Sequence, residues 1–156
     1  MKVKIIFVNR TASGWVKEGL NDYVKRLKRY LGVDYFEVEI SSISKKNVQV
    51  ILEEEAVKVM AFVKPADHVI LLDEQGLKLS SEGFSVWLNK KFVSIQGDLI
   101  FVIGGAYGFH KSLKERASEK LSLSDMTFTH QMVRVIFVEQ LYRAMTILKN
   151  EPYHHS

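Results

Sequence analysis

The chain has 156 residues, of which 47% are hydrophobic and 26% charged, a composition typical of a globular protein rather than a disordered one. Its 22 basic and 18 acidic side chains leave a net charge of +4, which favours an anionic partner such as a phosphate backbone without identifying one. The chain has no cysteine, which excludes disulfides, thiolate metal sites and cysteine nucleophiles and fits a reducing, cytoplasmic environment.

The length predicts a single domain over residues 1–156. No apolar stretch approaches the ~20 residues that a membrane-spanning helix needs, so no membrane partner is expected. The opening residues MKVKIIFVNR are interpreted as a first strand rather than a signal peptide, because the apolar run is short and no small-residue cleavage site follows it.

Hydrophobic periodicity predicts strands that alternate with helices. The predicted strands cover residues 2–8, 34–40, 68–73 and 98–104, residues 74–81 turn, and residues 121–126 form a short strand or an irregular segment. The predicted helices cover residues 13–31, 47–64, 82–92, 111–120 and 130–149. This alternation predicts an α/β fold with a mostly parallel sheet, in which ligands bind at the carboxyl ends of the strands.

Three segments near predicted strand ends are rich in glycine and small hydroxyl residues: LLDEQG (71–76), the glycine turn GGAYG (104–108) and the hydroxyl-rich segment LSLSDMTFTH (121–130). The glycine turn lacks the lysine and hydroxyl of a Walker A loop, and its spacing is not that of the dinucleotide fingerprint. By itself it could be only a tight connection. Together, the segments offer main-chain groups and apolar walls that suit an adenine ring bound without phosphate contacts.

The last predicted helix is apolar on nearly all its faces and yet carries Arg134, Glu139 and Arg143. Glu139 and Arg143 are four residues apart and can pair. Buried charges must be paired or functional. They could form an ion pair within a core or a dimer interface, or a polar site between subunits.

The chain ends in NEPYHHS, which places Tyr153 and His154 near the C-terminus. This tail could be an end without a role, since termini are often poorly ordered. Alternatively, its tyrosine and histidine could close over a substrate.

The motifs LLDEQG, FVIGGAYGF, LSLSDMTFTHQMVRVIFVEQLYRA and PYHHS together resemble the RlmH family, the ribosomal large subunit pseudouridine methyltransferases of the SPOUT superfamily. The resemblance runs from Met1 to the tail. It implies a SPOUT-type α/β sheet with a C-terminal trefoil knot, a homodimer, and S-adenosylmethionine bound by the knot loops. It also implies a cytoplasmic enzyme that methylates N3 of a pseudouridine in 23S rRNA of the assembled 70S ribosome, with no DNA partner.

The resemblance also implies site residues. The implied cofactor contacts are Leu72, Gly104, Leu123, Ser124, Asp125, Met126, Thr127 and Phe128. The implied catalytic positions are Arg134, Glu139 and Arg143 on the last helix, and Tyr153 and His154 in the tail. One position departs from the family, which commonly has arginine where this chain has His155, so a phosphate contact there is in doubt.

Without cysteine, a covalent route is closed, and direct attack by nitrogen or oxygen on the methyl group remains. N3 of pseudouridine must lose its proton, and a general base helps. His154 is the first candidate for this base and Glu139 the second, while Arg134 or Arg143 could stabilise charge on the flanking carbonyl oxygens. No histidine and carboxylate cluster has metal-ligand spacing, so no metal is predicted.

Two alternatives remain open from the sequence. The first is a SPOUT enzyme that acts on tRNA or on another rRNA position. The second is a non-catalytic RNA-binding factor of ribosome assembly that keeps the fold. The glycines and the tail argue against the second alternative, since a factor without a cofactor needs no open pocket.

Overall fold

The computed structural model describes residues 1–12, 14–40 and 47–155, in which strands and helices alternate. The strands are β1 (Val3–Val8), β2 (Val33–Val38), β3 (His68–Lys78), β4 (Leu99–Ile103) and β5 (Glu119–Ser122). The helices are α1 (Gly14–Leu27), α2 (Val48–Met60), α3 (Ser81–Ser94), α4 (Lys111–Arg116) and α5 (Met132–Leu148).

The strands form one sheet in the order β2-β1-β4-β3-β5, and every neighbouring pair is parallel. The predicted α/β class with a mostly parallel sheet is therefore confirmed. Ile103 pairs with Phe7 on one side and with Leu72 on the other, and Leu72 pairs in turn with Leu121. The register therefore brings the carboxyl ends of four strands to the same edge of the sheet.

Side-chain alternation along the central strands divides the core between the two faces of the sheet. Ile5, Phe7 and Phe101 belong to a core packed under α1, α3 and α5. Ile6 and Val102 belong to a second core, packed under α2 and α4. The sheet is thus covered on both faces, which is why its central strands are almost wholly apolar.

The largest departure from the sequence prediction lies after Leu72. Residues 74–78, predicted to turn, instead continue β3 to Lys78. The pairing with β5 slips between Leu72 and Leu77, both of which face Leu121. Gly76 makes this bulge possible, because a Cβ at that position would lie 2.6 Å from main-chain atoms of Lys120 and Leu121.

Other boundaries differ in physically understandable ways. The helix predicted over 111–120 ends at Arg116, and residues 119–122 pair with β3 as β5, so sheet pairing overrides the helical propensity of the segment. The helix predicted over 13–31 ends at Leu27 and continues only as hydrogen-bonded turns, while Ser13 lies outside the described residues. The helix predicted from 130 begins at Met132. The trefoil knot stays a prediction.

In the described part of the chain, no helix is both long enough and apolar enough to cross a membrane.

We expect Gly76→Ala to destabilise the protein by about 1–3 kcal/mol, because the added methyl group has no room against the main chain of β5. The measurement is the free energy of unfolding from urea denaturation. The control is Gly14→Ala, where a Cβ meets nothing within 4 Å and the change should cost nothing. Equal stability of the two variants would contradict the close approach at Gly76.

Candidate functional site

A cavity of about 640 Å³ lies beside the carboxyl ends of β4 and β5 and the bulged middle of β3, and we call it the strand-end cavity. Its apolar floor includes Leu72, Ile103 and Leu121, the residues that the sheet register aligns. All eight residues expected from the resemblance to contact a cofactor line this cavity: Leu72, Gly104, Leu123, Ser124, Asp125, Met126, Thr127 and Phe128.

The glycine turn forms one wall of the strand-end cavity. Gly105 and Gly108 form an isolated antiparallel bridge, and Gly108 has a φ of 77°, a conformation that favours glycine. Gly104 lies against Phe109, whose ring would be 3.0 Å from a Cβ at position 104. The turn therefore keeps its main chain close to the cavity with only small side chains at positions 104–106.

The hydroxyl-rich segment forms a second wall, and its own side chains stabilise its irregular path. The Ser122 hydroxyl donates to the Ser124 carbonyl at 3.2 Å, and the Ser124 hydroxyl accepts from the Met126 amide at 2.9 Å. The Thr129 hydroxyl accepts from the Met132 amide at 3.1 Å, where α5 begins. Met126 is 77% exposed, so its thioether stands at the edge of the cavity rather than in a core.

The charge of the lining is distinctive. Asp73, Glu74 and Asp125 line the strand-end cavity, and Asp125 pairs with Lys78. Among the described lining residues, none is lysine or arginine, and His130 is the one titratable base. The cavity is therefore better suited to a neutral or cationic ligand than to a phosphorylated one.

Four of the five predicted catalytic side chains of α5 and the tail, all except Arg134, come together in a second group, which we call the tail cluster: Glu139, Arg143, Tyr153 and His154. Arg143 donates from Nη2 to Glu139 Oε1 at 2.5 Å and from Nη1 to His154 Nδ1 at 3.0 Å. Tyr153 donates its hydroxyl to Glu139 Oε1 at 3.0 Å. The structure thus brings these four residues together, although no member appears among the described residues that line the strand-end cavity.

The hydrogen bonds of His154 determine its tautomer. Because arginine can only donate, Nδ1 accepts and carries no proton. Nε2 therefore bears the hydrogen and donates it to Glu82 Oε1 at 2.8 Å. This bond, together with a main-chain hydrogen bond, lowers the pKa of Glu82. The basic lone pair of His154 is held by Arg143 in this arrangement.

Glu139 is also fully engaged. Besides the bonds to Arg143 and Tyr153 on Oε1, its Oε2 accepts from Gln140 at 3.0 Å. The hydrogen bond between Glu139 and Arg143 raises the pKa of Arg143. Burial, followed by hydrogen bonds with Tyr23 and Glu139, raises the pKa of Tyr153 well above its usual range.

Arg134 departs from its expected role. It is fully buried on α5, and its guanidinium donates to main-chain oxygens and one hydroxyl of its own chain. A group so enclosed cannot reach the carbonyl oxygens of a base in this arrangement. Of the two arginines, only Arg143 has a partly exposed side chain.

Sequence reasoning missed the residues that hold the tail. Tyr30 donates to Glu151 at 2.5 Å, Tyr23 bonds Tyr153 at 3.2 Å, and Glu82 holds His154. They lie on α1, in the turn that follows it and on α3, far from the tail in sequence, and no local spacing signals the contact. Asp73 and Glu74 line the strand-end cavity but were not predicted as ligand contacts. They belong to the LLDEQG segment, which the sequence pattern selected without assigning these two carboxylates a role.

The contact between Tyr30 and Glu151 can be tested by titration. The hydrogen bond to Glu151 raises the pKa of Tyr30 to about 12. Because this folded-state pKa exceeds the ordinary value near 10, stability from the contact is complete below about pH 10 and is lost as the pH rises through about 12. We expect Glu151→Gln to lower the pKa of this phenol, measured by phenolate absorbance against pH. The control Tyr30→Phe should remove one late-titrating phenol, and identical curves for Glu151→Gln and the parent would contradict the contact.

Comparison with known proteins gives a consistent result. A family model described as "Predicted SPOUT methyltransferase" matches residues 1–154. The chain is 44% identical over 160 residues to the "Ribosomal RNA large subunit methyltransferase H" of Parabacteroides distasonis, with 99% of each chain covered. It is 43% identical over 155 residues to the protein of the same name from Cytophaga hutchinsonii, with 99% of this chain and 100% of that protein covered.

Among solved structures, the chain resembles a probable methyltransferase from Bordetella pertussis Tohama I, with a TM-score of 0.57 over 92% of this chain and 94% of that chain. The sequence identity is 10%, so this likeness concerns the fold alone. The family model and the full-length relatives confirm the resemblance read from the motifs: this chain belongs to the SPOUT methyltransferase family.

Proposed function

We propose that this protein transfers a methyl group from S-adenosylmethionine to N3 of a pseudouridine in 23S rRNA of the assembled ribosome. The observation that carries the proposal is the strand-end cavity, whose lining includes every residue expected to contact the cofactor. Its full-length relatives, at 44% and 43% identity, are named ribosomal RNA large subunit methyltransferase H.

The residues of the strand-end cavity fit S-adenosylmethionine. A volume of about 640 Å³ lies within the range of small-ligand sites. Leu72, Ile103 and Phe109 supply apolar surface for an adenine ring, and the glycine turn and hydroxyl-rich segment supply main-chain donors and acceptors. Asp73 and Glu74 suit the positive charges of a sulfonium and an amino group.

Two copies of the chain would complete the active site. The resemblance implies a homodimer, and the tail cluster is held against α1, α3 and α5 of its own chain rather than forming part of its own strand-end cavity. We infer that the tail cluster of one copy faces the cavity of the other. Each site would then combine a cofactor wall from one subunit with proton-handling groups from its partner.

When bound, S-adenosylmethionine supplies a methyl group on a sulfonium, which is activated enough that the protein mainly has to position the nucleophile. The chain must therefore orient N3, accept its proton and exclude water. Since N3 carries a proton before it is methylated, the chain must also supply a base that accepts this proton.

The tail cluster provides groups for these tasks. Arg143 has a guanidinium partly exposed beside His154, and it can donate to a carbonyl oxygen next to N3 as negative charge develops there. If the substrate carbonyl replaces His154 as the partner of Arg143, Nδ1 of His154 becomes free to accept the N3 proton. Glu139 and Tyr153 then act mainly by holding Arg143 in place, because the Glu139 oxygens are already engaged.

The proposed substrate is tested with ribosomes from cells that lack the modification. We expect purified protein and labelled S-adenosylmethionine to place label on one pseudouridine of 23S rRNA in 70S ribosomes, mapped by mass spectrometry. Free 23S rRNA and tRNA, incubated in parallel, should stay unlabelled. Only the assembled ribosome would then present the nucleotide in an accessible form.

Other outcomes would each overturn part of the proposal. Label on tRNA would keep the fold and the cofactor but replace the substrate. Label on free 23S rRNA would remove the requirement for an assembled ribosome. Cofactor binding without label on any RNA would favour a binding or assembly role.

The role of His154 is tested by His154→Ala. Loss of a general base should lower kcat by about 100-fold or more, while the Kd for S-adenosylmethionine stays unchanged, because the cavity lining lacks His154 of its own chain and the partner's His154 is proposed to act on the nucleobase. Single-turnover labelling of ribosomes gives the rate, and calorimetry gives the Kd.

The matched control is His155→Ala, which removes the neighbouring, exposed imidazole. Its effect on kcat should be small by comparison. Normal turnover of His154→Ala would remove His154 from the mechanism, and a rise in Kd without a change in kcat would assign it to cofactor binding instead.

A further inference from the structure

Arg134 is the largest side chain that the structure buries completely, with 0% of its surface exposed. Within the described parts of the chain, no carboxylate lies within ion-pair distance of its guanidinium. Burial lowers the pKa of Arg134, opposed by the more distant Glu37. Burying an arginine without an ion pair costs free energy of folding unless its N–H groups are hydrogen-bonded. The partners of these N–H groups therefore explain why the side chain is buried.

The guanidinium is satisfied by oxygens from two separate parts of the chain. From α5, the His130 carbonyl accepts from Nε at 3.0 Å. From the end of β1, the Val8 carbonyl accepts from Nη2 at 2.8 Å. The Asn9 carbonyl and the Thr11 hydroxyl both accept from Nη1 at 2.9 Å.

Asn9 links this set of bonds to the glycine turn. Its φ of 72° is left-handed, which turns the chain sharply as β1 ends. Its side-chain Nδ2 lies 3.1 Å from where a Cβ on Gly105 would be, so the amide rests against the turn. The main-chain N–H of Asn9 donates to the Val38 carbonyl at 2.8 Å, which fixes the backbone of Asn9 against β2.

His130 connects Arg134 to the hydroxyl-rich segment. It is the last residue of the hydroxyl-rich segment and lines the strand-end cavity. Its carbonyl is held by Arg134 one helical turn later in the sequence. The guanidinium is therefore the common point between two walls that are not adjacent in sequence.

We propose that Arg134 is a positioning residue that sets the separation of the glycine turn and the hydroxyl-rich segment, and thereby the affinity of the strand-end cavity for the methyl donor. The chain of contacts runs from Gly105 through Asn9 to Arg134 and on to His130. Arginine is required because its planar group carries donors in several fixed directions, whereas a lysine ammonium is a point charge. This inference rests on the proposed function, since it takes the cavity ligand to be S-adenosylmethionine.

The experiment uses the full-length protein and measures the Kd for S-adenosylmethionine by calorimetry, with hydrogen exchange of residues 104–108 and 121–130. Arg134→Lys should raise the Kd by about tenfold or more, because a small displacement of a wall is enough to misplace contacts. Exchange should become faster in both walls. The melting temperature should also fall.

Two further variants separate positioning from general stability. Asn9→Gly keeps the left-handed backbone and the carbonyl that accepts from Arg134, but removes the amide that rests on the turn. We expect a higher Kd for S-adenosylmethionine, with faster hydrogen exchange confined to residues 104–108. Leu27→Ala truncates a fully buried side chain in the core under α1, outside the cavity lining, and should lower the melting temperature without changing the Kd.

The outcomes are distinct. If Arg134→Lys does not fold, Asn9→Gly alone decides, and an unchanged Kd for Asn9→Gly would overturn the proposal. A Kd that rises as much in Leu27→Ala as in Arg134→Lys would also overturn it, since the effect would then follow stability. If the unaltered protein fails to bind S-adenosylmethionine, the proposed function fails before this inference is reached.

Discussion

The parallel register of the sheet is the constraint on which the rest of the structure depends. Because Leu72, Ile103 and Leu121 are paired across β3, β4 and β5, the residues that follow these three positions lie at one edge. A one-residue slip would turn the apolar side chains of a strand to the other face and separate the cavity walls. The bulge at Gly76 lets β3 pair with β5 on both sides of the Asp73 and Glu74 segment. The cavity is therefore a consequence of strand pairing, to which the loops add chemistry.

The two groups of polar residues differ in charge, because the strand-end cavity is acidic whereas the tail cluster pairs Arg143 with Glu139. The strand-end cavity has acidic side chains and, among its described lining residues, no lysine or arginine, which suits a cationic methyl donor. The tail cluster has Arg143 and His154, which suit negative charge that develops on a nucleobase as it loses a proton. Keeping the groups apart in one chain prevents Arg143 from neutralising the acids of the cavity. In the proposed dimer, the acidic side chains would face the methyl donor and Arg143 would face the nucleobase.

Much of this could be predicted from the sequence, and the failures have physical causes. Local composition was enough to select the glycine turn and the hydroxyl-rich segment, because glycine and serine are needed wherever a main chain must approach a ligand. The segment after Lys111 has helical character throughout, and only the pairing of β5 with β3 shows that its second half is a strand. The tail was identified, but its partners Tyr23 and Tyr30 are brought to it by packing of α1 on α5, which no local pattern encodes.

Arg134 shows most clearly where sequence reasoning ends. The apolar surroundings on α5 predicted burial, and burial of a charge permits either a structural or a catalytic role. The choice depends on which oxygens lie within reach, and these belong to Val8, Asn9 and Thr11, more than a hundred residues away. A fully buried guanidinium that binds oxygens of its own chain is not accessible to a substrate. The same guanidinium binds two segments that are distant in sequence and so fixes the distance between them. The cavity depends on such a link, because each of these two walls is a loop.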